Sequence, residues 1–269
     1  MKPAQSGFSL IELAIGLVIL GLAAVGMVAS LSKQADQKRL VDSRSALNQA
    51  RDAVLAFVTV NGRLPCPASN ASGGQESIAS NAGGVITCTL EAGYLPAVSL
   101  GLPELDASGL FNNAWNDGSN PGGTLPRAFR YAVSSLSGTV ANALTSPGLG
   151  APASTTRRGD VQTAFNNGQG LFVCASATGI GAGANRCGAT ANLLGSTAAA
   201  VIWTLGANGG DPTQYSADET QNATVGVPRV LISRGYAPLG ATGGMFDDLV
   251  TWVPYSQVAD RLFAAGFVQ

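Results

Sequence analysis

The sequence predicts an α+β protein, in which a long N-terminal helix precedes a head built mainly from short strands. No Pro interrupts the chain between Phe8 and Asn61, so this stretch of roughly 50 residues can form one helix. Five apolar or alternating runs further along predict strands. They are Ala128–Ser134, Gly170–Ala175, Ala199–Leu205, Arg229–Ser233 and Phe246–Val253.

The first half of the predicted helix, residues 8–31, is apolar or small except at Ser9, Glu12 and Ser30. This length matches the ~20 residues that a helix needs to cross the hydrocarbon core of a bilayer, so we expect a transmembrane helix. A charged side chain inside such a segment costs ~2.5–3.5 kcal/mol on insertion scales. Glu12 is therefore a candidate functional residue that needs a cationic partner.

The second half, residues 32–60, carries the apolar period of an amphipathic helix. Leu40, Leu47 and Val54 recur every seventh residue, and charged residues occupy much of the remaining surface. Ala50, Leu55, Phe57 and Val58 fill the same side. We expect this half to dock on the head and to end at Asn61-Gly62, because Gly commonly terminates helices.

Gly7-Phe8 with Glu12, after a short leader that contains Lys2, resembles the N-terminus of type IV pilins and of type II secretion pseudopilins. The resemblance implies that a membrane prepilin peptidase removes residues 1–7 and methylates the new amino terminus at Phe8. It implies that Glu12 then neutralises the Phe8 ammonium of a neighbouring subunit. It also implies an inner-membrane assembly platform as a partner, and a head, residues 61–269, with the helix laid against an antiparallel sheet.

Two ordinary readings compete with this one. A secretory signal peptide has a shorter apolar region, of about 7–15 residues, and a small-residue cleavage site after it. Here the run is longer, and Lys33 and Gln34 follow it. A simple signal anchor would explain the apolar run but not Gly7-Phe8 with Glu12.

The head resembles the major pseudopilin class at two places. Ala114-Trp115-Asn116, followed by Phe129–Val133, is similar to a turn and strand of that class. Gly206–Gly209 and the later Asp247-Asp248 are similar to segments that hold a calcium ion there, with Asn208 standing where the class has Asp.

This second similarity implies a possible Ca²⁺ site at Asp247 and Asp248, and Ca²⁺ takes six to eight oxygen ligands. Further candidate ligands are Asp211, Asp218 and Glu219, within the 36 residues that separate Gly209 from Phe246. The alternative is a capped turn with solvated carboxylates.

The four cysteines predict two disulfides, because they follow the anchor on the side expected to be exported. Four cysteines allow three pairings. Sequence spacing favours Cys66–Cys88 and Cys174–Cys187, since each closes a loop rich in small and polar residues. We expect loops at Asn70–Gly84, Thr139–Gln162 and Gly179–Gly183, and a short C-terminal helix at Ser256–Phe263.

Composition narrows the functional classes. The chain has a net charge of -1, 12% charged residues and no His. Its only adjacent basic pairs are Lys38-Arg39 and Arg157-Arg158, so we expect no nucleic-acid partner. Without His, triads and metal sites that need it are excluded.

We therefore expect no enzyme, but a structural and minor subunit of a type IV pilus or secretion pseudopilus. Before assembly it would sit in the bacterial inner membrane with its head in the periplasm. A membrane-anchored adhesin is the alternative. An exported enzyme comes third, and it would need Asp247 and Asp248 in a cleft.

Overall fold

The computed structural model describes residues 10–103, 105–115, 127–150, 157–181, 186–209, 211–224 and 229–268. At residues 22–33, 150, 157 and 158 it describes the backbone alone. The predicted leader, with Gly7, and also Phe8 lie outside the described residues. The chain divides into two compact units, residues 1–42 and 43–269.

Helix α1, Leu10–Asn61, confirms the predicted long N-terminal helix. Its large apolar side chains between Leu10 and Leu20 are exposed. Among the described residues, the structure contains no helix with the length and apolar character needed to span a membrane.

The C-terminal part of α1, from Ser43 onward, belongs to the second unit and packs there. Its buried residues are Ser43, Leu47, Ala50, Val54, Leu55 and Val58. These positions share one helical face, which confirms the predicted amphipathic period. Arg51 anchors this face, because its Nη2 donates to Gln257 Oε1 at 2.6 Å and its Nε to the Trp252 carbonyl at 3.4 Å.

The strands of the second unit form a hairpin and a six-stranded sheet. They are β1 Ile78–Ala82, β2 Val85–Cys88, β3 Ala92–Tyr94, β4 Arg130–Val133, β5 Leu171–Cys174, β6 Leu193–Thr204, β7 Val230–Ile232 and β8 Leu249–Pro254. The hairpin pairs β1 with β2, and the larger sheet has the order β3-β4-β6-β5-β7, with β8 also paired to β6.

Strand β6 is the centre of the sheet, since it pairs antiparallel with β4, β5 and β8. Residues 198–204 of β6 are all buried, so both of its faces are covered. The prediction of a purely antiparallel sheet is wrong at one place, because β7 runs parallel to β5. Strand β6 runs antiparallel to β5. A helix then connects β6 to β7, and β7 runs in the same direction as β5.

Besides five short 3₁₀ turns, the described part of the second unit contains three α-helices after α1: α2 Arg157–Asn166, α3 Ala217–Ala223 and α4 Tyr255–Ala264. Helix α4 confirms the predicted C-terminal helix. Helix α2 overturns the prediction of a loop through Gln162. Its buried Val161, Ala164 and Phe165 lie on one face, and Phe165 stacks on Tyr255 of α4, so tertiary packing stabilises this polar segment.

Other strand boundaries also differ from the prediction. The predicted loop Asn70–Gly84 is wrong at residues 78–82, which form β1, and β2 and β3 lie outside the predicted strands. Strand β1 is exposed along its whole length, so it lacks the apolar alternation that reveals a strand. Its turn to β2 uses Gly83 and Gly84, both with positive φ. Strand β8 begins at Leu249; of the predicted strand residues before it, Phe246 forms an isolated antiparallel bridge with Ala237, and Asp247 and Asp248 form a loop that approaches the end of β6.

Both predicted disulfides are confirmed: Cys66–Cys88 and Cys174–Cys187. The first joins the segment after α1 to the end of β2, and the second ties the loop after β5 back to that strand. Each disulfide lies in a region rich in small residues, where a covalent cross-link supplies the constraint that apolar packing provides elsewhere.

The edge of the sheet at β7 is closed by side chains of α3. Asn222 Nδ2 donates to the Ile232 carbonyl at 2.9 Å, and the Ile232 N–H donates to Asn222 Oδ1 at 2.7 Å. Gln221 Nε2 donates to the Val230 carbonyl at 3.1 Å. These bonds occupy backbone groups that a free edge strand would offer to another chain.

Candidate functional site

The first candidate site is the start of α1. Glu12 lies in the first turn of this helix and is exposed. Leu10, Ile11 and Leu13 around it are 89%, 67% and 58% exposed. A carboxylate is therefore embedded in an apolar surface that is open to solvent, lipid or another chain.

The second candidate site is a group of three buried carboxylates, which we call the acidic cluster: Glu219, Asp247 and Asp248. Their exposures are 0%, 3% and 4%, and one oxygen from each lies within 4.8 Å of the others. Among the described residues, no Lys or Arg forms an ion pair with any of them. Such a concentration of negative charge away from water is costly unless protons or a cation neutralise it.

The register of the sheet places two of the three carboxylates, the neighbours Asp247 and Asp248, beside the end of β6. Thr204, the last residue of β6, pairs with Leu249, the first residue of β8. The loop after β6 therefore runs beside Asp247 and Asp248. Gly206 is required at this approach, because a β-carbon there would overlap the Asp247 carboxyl group.

The third carboxylate comes from the segment between these strands. Ser216 and Glu219 form a capping box at the start of α3, in which the Ser216 N–H donates to Glu219 Oε2 at 2.9 Å. The Asp247 N–H donates to Glu219 Oε1 at 3.1 Å. Glu219 thus caps its own helix and also holds the loop that carries Asp247.

Hydrogen-bond donors fix the aspartates in place. Asp247 Oδ2 accepts from the Ala207 N–H at 2.8 Å and the Asn208 N–H at 3.4 Å. Asp248 Oδ1 accepts from the Gly206 N–H at 3.3 Å, and its Oδ2 accepts from Asn222 Nδ2 at 2.9 Å. The donors satisfy one oxygen of Asp247 and leave the other, Oδ1, buried without a hydrogen-bond partner.

Asn208 supplies a second orphaned oxygen beside the cluster. Its Nδ2 donates to Glu219 Oε2 at 3.1 Å, while its Oδ1 is buried without a hydrogen-bond partner. Buried polar atoms are satisfied in the great majority of cases, so two unsatisfied acceptors at one place call for an explanation.

Burial shifts the titration of both aspartates. It is the main cause that raises the pKa of Asp247 to about 6; the nearby Glu219 carboxylate also raises this pKa, and the N–H groups of Ala207 and Asn208 oppose the shift. Burial also raises the pKa of Asp248 well above its usual range, although the bond from Asn222 opposes this shift. Without a cation, the two aspartates therefore hold protons more tightly than exposed carboxylates do.

The donor atoms of the acidic cluster can be compared with the ligands of the calcium site that the sequence led us to expect. The donor set is all oxygen, from three carboxylates and the Asn208 amide, and it suits a hard divalent ion. The alternative of a capped turn with solvated carboxylates is wrong about solvation, since all three carboxylates are buried, although they do accept bonds from backbone N–H groups as caps do. Asp218 and Asp211 do not join the cluster: Asp218 pairs with Arg234 at 2.6 Å, and Asp211 caps a short 3₁₀ turn.

Comparisons with known proteins identify the N-terminal segment. Residues 2–28 match the family described as the prokaryotic N-terminal methylation motif, which is the signature of the prepilin-type segment of type IV pilins and pseudopilins. The match covers Gly7, Phe8 and Glu12, and it spans a small part of the 269 residues. No curated protein and no solved structure gives a significant match to the chain.

Sequence reasoning missed one residue of the acidic cluster's surroundings. Asn222 is fully buried and joins Asp248 to β7. Nothing in the sequence around it marks an Asn in a short polar helix as a core residue. Glu219 could be named only as one of several candidate ligands, because its loop position relative to β8 depends on the fold.

Proposed function

We propose that this chain is a structural, non-enzymatic subunit of a bacterial type IV pilus or type II secretion pseudopilus, and a minor one. The observation that carries the proposal is the match of residues 2–28 to the methylation motif. The matched residues include the first turn of α1, where the carboxylate of Glu12 lies among apolar residues. The match supports a pilin-like or pseudopilin-like precursor. The finer assignment to a minor subunit is favoured by the long loops of the head, which leave less room for regular repetition.

The exposed start of α1 supplies the driving force for assembly. Large apolar side chains from Leu10 to Leu20 are more than half exposed, and burying apolar surface contributes about 25 cal/mol per Å². In a bilayer, lipid tails cover this surface. Once the subunit leaves the bilayer, the same surface is stable only when packed against equivalent helices, as in the core of a filament.

The position of Glu12 determines how neighbouring N-terminal helices align along one another. A carboxylate in an apolar helix bundle is costly unless a cation neutralises it. Cleavage after Gly7 would create an ammonium group at Phe8, and a neighbouring subunit would then offer this group to Glu12. The partners that follow are a prepilin peptidase, other pilin or pseudopilin subunits and an inner-membrane assembly platform, with the head exported to the periplasm.

The non-enzymatic part of the proposal is supported by the absence of His in the sequence and by the position of the acid pair. Asp247 and Asp248 are 3% and 4% exposed, so a substrate has no direct access to them. Their donors are backbone and amide groups that fix them, not groups that relay protons to a surface.

The test compares filament incorporation of Glu12→Ala and Glu12→Gln with that of Asp36→Asn. Asp36 is a control on the same helix, with a side chain that is 69% exposed. Sheared filaments and membranes are probed for the subunit by immunoblot. We expect both Glu12 variants to remain in the membrane and to fall at least tenfold in filaments, and the control to assemble normally. Wild-type incorporation of both Glu12 variants would refute the assembly role.

A further inference from the structure

We propose that the open cavity between the loop 137–140 and helix α2 binds a neutral sugar unit. The cavity has a volume of about 280 Å³, just below the ~300–1,000 Å³ that is usual for small-molecule pockets, so it suits a ligand of the size of a monosaccharide. This inference concerns the head alone, and it goes beyond the structural role of the subunit. The groups that line the cavity define the ligand class.

Helix α2 and the residue that follows it form one wall of the cavity. The lining residues of this wall are spaced as i, i+3, i+4 and i+7, so they share one helical face: Asp160, Thr163, Ala164 and Asn167. The Asn167 N–H donates to the Thr163 carbonyl at 2.9 Å, so the helical turn continues to this residue. The wall therefore presents a carboxylate, a hydroxyl and an amide beside a small apolar residue.

The loop 137–140 forms the facing wall, and left-handed residues hold it at both ends. Leu136 has φ 53° and Asn142 has φ 56°. A Leu in this conformation is strained, because its β-carbon comes too close to a carbonyl oxygen. The Asn142 N–H closes the loop by donating to the Ser135 carbonyl at 2.7 Å. Strained residues persist only where the surrounding contacts hold them, and they cluster at functional sites.

Gln169 joins the two walls. Its Oε1 accepts from the Ser137 N–H at 2.9 Å, and its carbonyl accepts from Ser134 Oγ at 2.9 Å. Its own N–H donates to the Ala164 carbonyl at 3.0 Å. These bonds fix the loop against the helix before any ligand binds, and such preorganisation lowers the entropic cost of binding.

The polar side chains of both walls are available to a ligand. Four of them make no hydrogen bond to another described group: Ser137, Thr139, Asp160 and Asn167. Hydroxyl and amide groups both donate and accept hydrogen bonds, and a carboxylate accepts them. A ligand that carries several hydroxyl groups can therefore use every type of group on these walls.

The remaining lining residues favour a sugar over other ligands. Val140 and Ala164, each 4% exposed, supply an apolar base. A sugar ring has hydroxyls around its edge and C–H groups on its faces, so it can contact both the polar groups and this base. An apolar ligand would leave the polar groups without partners. An anion would face Asp160 with no Lys or Arg among the described lining residues, and a cation would meet this single carboxylate.

The experiment measures saturation transfer by NMR from the full-length protein to free sugars, in micelles of a detergent without a sugar headgroup. The probes are glucose, galactose, mannose, N-acetylglucosamine and N-acetylgalactosamine, with sialic acid as an anionic control. We expect at least one neutral sugar to bind with a Kd of roughly 1–10 mM, the scale of a small ligand in an open site. Sialic acid should receive no saturation.

Two substitutions test whether the sugar binds in this cavity. Asn167→Ala and Asp160→Ala should each raise the Kd about tenfold, because each removes a hydrogen-bonding group from the wall. Both residues are exposed, so the variants should fold, and circular dichroism checks this. Asn166→Ala is the matched control, since Asn166 is the exposed neighbour on α2 and its Oδ1 accepts from Gln162 Nε2 at 3.0 Å. The control should bind as wild type does.

Methyl glycosides of the sugar that binds distinguish two sources of the ligand, because they block the anomeric hydroxyl. Retained binding supports the end of a glycan as the ligand, and lost binding supports a free sugar.

Three results would overturn the proposal. The first is no saturation transfer to any of the five neutral sugars at about 50 mM. The second is a folded Asn167→Ala variant with the wild-type Kd, or a control that loses as much binding as this variant. The third is sialic acid bound as tightly as the neutral sugars, which would reject a neutral ligand.

Discussion

The side chain of Asn222 offers a sharp test of how the sheet is held at its β7 edge. Its amide makes three buried hydrogen bonds: two with the backbone of Ile232, at 2.7 and 2.9 Å, and one with Asp248 Oδ2 at 2.9 Å. Asn222→Ala would leave three buried polar groups without partners. Each such group costs about 1–3 kcal/mol, so we expect the free energy of unfolding to fall by roughly 3–5 kcal/mol.

The measurement is urea unfolding of wild type and variant, followed by tryptophan fluorescence, with the loss read from the midpoint at constant m. Gln221→Ala is the matched control on the same helix, because its side chain makes a single bond, to the Val230 carbonyl at 3.1 Å. We expect the control to lose no more than about 1.5 kcal/mol. If Asn222→Ala lost less than about 1 kcal/mol, or no more than the control, the edge would not depend on this amide.

Three further predictions concern the rest of the head. Glu76→Ala should lower the free energy of unfolding by about 3 kcal/mol in a urea titration, because it breaks a partly buried ion pair with Arg63 at 2.7 Å and leaves the Cys66 N–H without its acceptor; a loss below 1 kcal/mol would contradict this. Cys66→Ser should cost about 3 kcal/mol and speed proteolysis, since the bridge to Cys88 closes 22 residues; unchanged proteolysis would contradict it. In chelator, Asp247 has a pKa of about 6 in the folded state against 3.8 ordinarily. Its stabilising contribution is therefore complete below pH 3.8 and is lost as pH rises through 6. Wild type should lose roughly 3 kcal/mol over that range relative to Asp247→Asn, and parallel pH profiles would refute the shift.

The features that could be predicted from the sequence are those marked by a repeated or continuous apolar pattern or by pairs of cysteines. The seven-residue spacing of Leu47 and Val54 identifies the docking face of α1, and both are buried in the head. The apolar run around Val201 identifies the central strand. The short sequence separations of the four cysteines identify the two disulfides.

The remaining features depend on contacts between distant residues. Strand β1 is exposed throughout, so backbone pairing with β2 defines it, not side-chain pattern. The parallel pairing of β5 and β7 follows from the crossover through α3, which has no apolar period of its own. Glu219 lies 28 residues before Asp247, and only the folding of the segment between β6 and β8 brings α3 against the loop before β8.

The central claim is that the N-terminal segment is processed and built into a filament. The most direct test is the intact mass and N-terminal sequence of the protein, isolated from membranes of a host with and without its prepilin peptidase. We expect a mature chain that starts at methylated Phe8 only when the peptidase is present. A chain that keeps Met1 in both hosts, or is cut beyond Leu31, would contradict it.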